Sequence, residues 1–145
     1  MTIELHHGRY TISTDPARLD LDLIRRWLDE ESYWARGRTR ETVEMAVAHS
    51  LNFGAYAESG EMVGGARVVT DFATFAWLCD VFVVTAHRGT GLGKALVEAA
   101  TQHPRLREIK RFALATADAH ELYRQFGFTA LDHPEAWMMR RGETA

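Results

Sequence analysis

Arg88-Gly89-Thr90-Gly91-Leu92-Gly93-Lys94 decides how the rest of the chain is read. It follows an apolar run, Leu78 to Val84, that reads as a buried strand. It precedes Leu92, Ala95, Leu96 and Ala99, apolar positions at helical spacing. A strand, a glycine-rich turn and a helix start together form a site for phosphate oxygens. Helix N-termini expose unpaired N–H groups and the positive end of the dipole. Glycines let backbone approach a ligand closely.

The spacing discriminates among phosphate ligands. A P-loop needs glycine where Arg88 stands and Ser or Thr where Ala95 stands. A dinucleotide fingerprint needs glycine at Lys94 or at Leu96. Both motifs also expect an early β-α-β unit, whereas three strands with short connections precede this turn. Those strands are Asn52 to Glu58, Met62 to Thr70 and about Thr74 to Val84, joined through Ser59-Gly60 and through Asp71 to Ala73. They predict an antiparallel meander.

Further out, Arg9 to Ser13 predicts a first strand. Leu19, Leu23, Ile24, Trp27 and Leu28 form one helical face. A second helix is expected after Thr39 as N-cap, with Val43, Ala46, Val47 and Leu51 as its inner stripe. After the glycine turn, a helix runs from about Gly91 to Gln102 and is stopped by Pro104. Arg111 to Thr116 reads as a strand. Asp118, with Glu121 three residues on, predicts a capped helix carrying Leu122, Tyr123 and Phe126, ended by Gly127. Phe128 to Leu131 and Ala136 to Arg140 are expected to close the chain as two strands. The order β-α-α-β-β-β-α-β-α-β-β predicts an α+β (α/β mixed) fold in one domain, residues 1–145.

With 145 residues and a net charge of −3, the chain can bury a real core and gives no support for general nucleic-acid binding. Charge is uneven: residues 86–111 carry six Lys/Arg against two acids, placing the glycine turn in a basic neighbourhood. One cysteine excludes an internal disulfide framework and a multi-cysteine zinc site. No apolar run reaches membrane-spanning length, and Met1 to His7 has no basic, apolar leader pattern. A cytoplasmic protein with no membrane partner is the expectation.

Arg88-x-x-Gly91-x-Gly93, following Val81-Phe82-Val83, resembles the acyl-CoA motif of the GNAT superfamily of N-acyltransferases. Leu122-Tyr123-Arg124-Gln125-Phe126-Gly127-Phe128 resembles that family's later L-Y-x-x-x-G-F segment. The resemblance implies a GNAT-like, mostly antiparallel sheet of about seven strands flanked by about four helices. It also implies acetyl-CoA as cosubstrate, no metal, and direct transfer of an acetyl group to a primary amine. A small-molecule amine is the expected acceptor, and a homodimer is left open. The alternative is a non-catalytic acyl-CoA sensor or interaction module.

The same resemblance places the pyrophosphate on Arg88, Gly89, Thr90, Gly91, Leu92, Gly93 and Lys94. It places pantetheine along Val81, Phe82 and Val83, and counts Asp118 among the cofactor contacts. Tyr123 is implied as the general acid for the departing thiolate. The base stays open among Asp80, Asp118, His120 and a water relay. Cys79 stands where many relatives carry an acid, and strand alternation is expected to put it and Asp80 on opposite faces. The acceptor wall is expected at Tyr33, Trp34, Arg36 and Arg38: aromatics suit an apolar or cationic group, arginines an anion.

Overall fold

The computed structural model describes residues 1–143. Six strands, in the order β1 to β6, form one sheet among the described residues. They are β1 (Glu4–His7), β2 (Tyr10–Ser13), β3 (Leu51–Tyr56), β4 (Met62–Thr70), β5 (Ala76–Val83) and β6 (Phe112–Leu114). The first five pair antiparallel in sequence order, and β6 pairs parallel to β5. Four helices complete the fold: α1 (Leu21–Glu31), α2 (Arg40–Ala48), α3 (Leu92–Gln102) and α4 (His120–Arg124). The mixed α+β class and the helix number agree with expectation, with one strand fewer.

Local chemistry sets the helix starts. Asp20 accepts from the Leu23 N–H at the start of α1, and Thr39 accepts from the Thr42 N–H at the start of α2. Leu19 lies before α1, because Asp15-Pro16 forms a separate 3-10 turn at Pro16–Arg18. Leu51 opens β3 and so is not part of the α2 stripe.

Two apolar layers sandwich the sheet. On one face α3 buries Leu92, Leu96 and Val97 against Phe53, Val68 and Leu78. On the other, α1 and α2 bury Ile24, Leu28 and Val43 with Tyr56, Met62 and Phe82. Leu78 and Phe82 are four apart on β5 yet belong to opposite layers. A β-bulge explains this: the β4–β5 register shifts between Gly65 and Arg67, so Asp80 and Val81 together oppose Ala66. Asp80 takes the extra place with a left-handed φ of 52°, a conformation in which aspartate is enriched among non-glycine residues.

The structure corrects expected strands and one expected cap. A hairpin partner, β1, precedes the expected first strand and turns through Gly8 at φ 57°. Phe128 to Leu131 and Ala136 to Arg140 do not form strands. The Phe128 N–H closes onto the Tyr123 carbonyl at the end of α4, and Pro134–Ala136 is a 3-10 turn. Every residue from 129 to 143 is exposed, so no apolar layer exists there to hold a strand. Asp118 is not the α4 cap: the Thr116 hydroxyl accepts from the N–H groups of Asp118 and Ala119.

Candidate active site

β5 and β6 pair only over Ala76–Leu78 with Phe112–Leu114. The pairing stops there, and residues 79–83 of β5 have no β6 partner among the described residues, which leaves an opening on that side of β5. The Val84 N–H bonds to Val63 on β4. By the two-residue alternation of a strand, the backbone groups of Val83 and Val81 therefore face the opening. The Arg88 Nε–H reaches the Val83 carbonyl there at 3.3 Å.

The glycine turn stands at one end of this opening. Gly89 and Gly91 take left-handed φ values of 77° and 80°, where a side chain carries a steric cost. Gly91 is the N-cap of α3 and supplies no side-chain cap. The Ala95 N–H bonds to the Gly91 carbonyl, and the N–H groups of Leu92, Gly93 and Lys94 are those a helix start leaves without an intrahelical acceptor. Val83, His87 and residues 88–93 line a hollow around them. This donor set fits a pyrophosphate.

The N-terminal hairpin braces the turn. The His7 Nε2–H donates to the Thr90 carbonyl at 2.8 Å, and Tyr10 and His87 share a hydrogen bond of 2.8 Å. The N-terminal hairpin thus anchors the cradle, through residues with no local sequence signal.

The α1–α2 connection spans the opening. The Tyr33 hydroxyl accepts from the Ala117 N–H at 2.8 Å, beyond β6. The Trp34 indole N–H donates to Asp80 Oδ1 at 2.8 Å, on β5. Arg38 donates to Asp80 Oδ2 at 2.8 Å, as does Arg67 Nε at 2.9 Å. Arg36 is exposed and outside this network. Arg67, also missed, had one visible signal: a lone charge within the apolar run of β4.

Asp80 is 8% exposed. Burial pushes its carboxyl up, but Arg67, Arg38 and the Trp34 N–H outweigh burial and hold it below the ordinary carboxylate range. It stays ionised and is a weak base. Arg67 opposes Cys79 in the register and reaches Asp80. The bulge therefore brings Cys79 and Asp80 to the same side, correcting the expected alternation. Burial raises the Cys79 thiol to about 11, so it stays protonated at neutral pH.

Tyr123 is half-buried on α4, with its ring edge-on to Phe128 at 6.0 Å. Burial, then Tyr33, Asp118 and Cys79, push its phenol above the ordinary value. It therefore holds its proton at neutral pH. Asp118 and His120 are exposed. The structure brings Tyr33, Trp34, Arg38, Asp80 and Tyr123 around one opening, with residues 81–83 and 88–94 along it.

The family model for the acetyltransferase (GNAT) family matches residues 21–128. A Gibberella zeae protein named as an acetyltransferase is 32% identical over 138 residues, covering 80% of this chain and 76% of its own. A GNAT-family crystal structure from Xanthomonas campestris is 44% identical, with a TM-score of 0.90 over 94% of this chain and 96% of that one. A Staphylococcus aureus structure at 19% identity, with a TM-score of 0.72, covers 92% of this chain and 99% of its own and shares the fold. The chain belongs to the acetyltransferase (GNAT) family. It is an acetyltransferase by class, the family implies acetyl-CoA as cosubstrate, and a binding-only module is not favoured. No helix among the described residues is long and apolar enough to cross a membrane.

Proposed function

We propose that the protein transfers an acetyl group from acetyl-CoA directly to the primary amine of a small molecule. The observation that carries this reading is the opening between β5 and β6, with the braced anion cradle at one end and a protonated phenol on its wall. Acetyl-CoA supplies the thioester. Residues 88–94 hold its pyrophosphate by backbone N–H groups, and the free edge of Val81 to Val83 pairs with the pantetheine arm. The Val81 N–H polarises the thioester oxygen.

In the transfer, the amine nitrogen bonds to the acetyl carbon as the carbon–sulfur bond breaks. The amine gives up one proton, and the thiolate takes one from Tyr123, which water then reprotonates. Asp80 is occupied by Trp34, Arg38 and Arg67, so this reading gives it the task of positioning. The amine proton leaves through water, with His120 and Asp118 at the exposed rim. Tyr33, Trp34 and Arg38 border the acceptor, with Arg36 at the outer edge. A cytoplasmic setting belongs to the same reading. So does a homodimer, supported by β6 as a sheet edge with the exposed Trp137 beside Arg111.

Thiol release from acetyl-CoA across a panel of amines tests the reading. Release that depends on both amine and Tyr123 supports it; none with any amine defeats it.

A further inference from the structure

Glycines let the cradle backbone approach a phosphate, but they also loosen it. A glycine takes φ of either sign at little cost, so nothing local stops the Thr90–Gly91 peptide from flipping and turning its N–H away from a ligand. One rung of the N-terminal hairpin supplies the restraint. His7 on β1 and Tyr10 on β2 are register partners, and they grip the two ends of the segment from His87 to Thr90. Tyr10 shares a 2.8 Å hydrogen bond with His87 Nδ1, and the Thr90 hydroxyl donates to the His87 carbonyl at 2.8 Å. The His7 Nε2–H holds the Thr90 carbonyl at 2.8 Å, across 83 positions of sequence. His87, Thr90 and Gly91 line the hollow, and His7 is outside that lining.

The Thr90–Gly91 peptide is trans, so its C=O and N–H point to opposite sides. With the carbonyl turned to His7, the Gly91 N–H turns the other way. That N–H has no backbone acceptor among the described residues. We propose that His7 is a positioning residue for coenzyme A: by holding the Thr90 carbonyl, it locks the Gly91 N–H as a donor to the pyrophosphate. The donor set of the cradle then runs from Gly91 through Leu92 and Gly93 to Lys94. His7 acts through Thr90 and makes no contact with phosphate. Its contribution is preorganisation, since a donor already aimed costs nothing to orient when the ligand arrives. The inference rests on the reading of residues 88–94 as the pyrophosphate cradle.

The test is calorimetry of the full chain with coenzyme A, joined to amide NMR of the same samples. In the wild type, coenzyme A should move the Gly91 amide proton downfield, the signature of a new bond to an anion. His7→Leu removes the donor and should weaken coenzyme A binding about fivefold or more. His7→Gln carries an amide N–H at about the reach of the imidazole Nε2–H and should restore most of the affinity. A Gly91 amide unmoved by bound coenzyme A overturns the inference, and this wild-type readout holds even where His7→Leu fails to fold. Wild-type affinity in a folded His7→Leu, or equal losses in the two variants, overturns it as well. A wild-type chain that binds no coenzyme A would defeat the cradle reading itself, and this inference with it.

Discussion

The Trp34 indole N–H and the Asp80 carboxylate meet at 2.8 Å across 46 positions of sequence. This contact ties the α1–α2 connection to the bulge in β5. Asp80→Asn keeps the shape but removes the charge that Arg38 and Arg67 oppose. It should cost about 3 kcal/mol in chemical denaturation, as expected for breaking a buried pair. The Asp80 carboxyl is held low in the folded state, so its stabilisation is present above the ordinary carboxylate value and is lost as pH falls through the folded one. Wild-type stability should therefore fall below about pH 4, with a shallower fall in the variant. Identical acid profiles would contradict this role.

Tyr123→Phe removes the proton donor and keeps the ring on Phe128. Turnover should drop about 100-fold or more, with coenzyme A affinity by calorimetry unchanged. The raised phenol stays protonated through neutral pH. Wild-type turnover should therefore lose its acid only above the ordinary phenol value of about 10, a limb absent in the variant. Wild-type turnover in Tyr123→Phe would remove it from the mechanism.

Gly91→Val should abolish coenzyme A binding. The φ of 80° is strained for any β-branched residue, and a Cβ there would stand 3.2 Å from His7 Nε2, the atom bracing Thr90. Wild-type affinity in the folded variant would show that the cradle does not hold the pyrophosphate.

Tyr56→Phe should stabilise the fold. Its hydroxyl is buried with no hydrogen-bond partner, and deleting an unsatisfied hydroxyl gains about 1 kcal/mol. Burial raises the Tyr56 phenol to about 12 from 10.0. Between those values the unfolded chain ionises first, so wild-type stability falls as pH rises above 10. The advantage of the variant should widen there in thermal melts. A lower melting temperature would point instead to a bond made by that hydroxyl.

Features written in local chemistry were legible. Met62–Thr70 forms β4 as its valines predict, and Thr39 caps α2. The α3 helix ends at Gln102, before Pro104. What tertiary contacts decide was not legible. The left-handed Asp80 depends on Trp34, Arg38 and Arg67, which come from two other parts of the chain. β1 carries Glu4-Leu5-His6-His7, with too little alternation to announce a strand, and forms through pairing with β2. Ala136 to Arg140 has strand-like residues but finds no sheet neighbour among the described residues.

Acetyl transfer from an acetyl-CoA bound at Arg88 to Lys94 is decided by product analysis. The full chain is incubated with acetyl-CoA and a panel of small amines, and free thiol and acetylated amine are measured together by mass spectrometry. Equimolar thiol and N-acetylated product should form with at least one amine, and both should be lost in Gly91→Val. Thiol release without an acetylated amine, or no release across the panel, would contradict it.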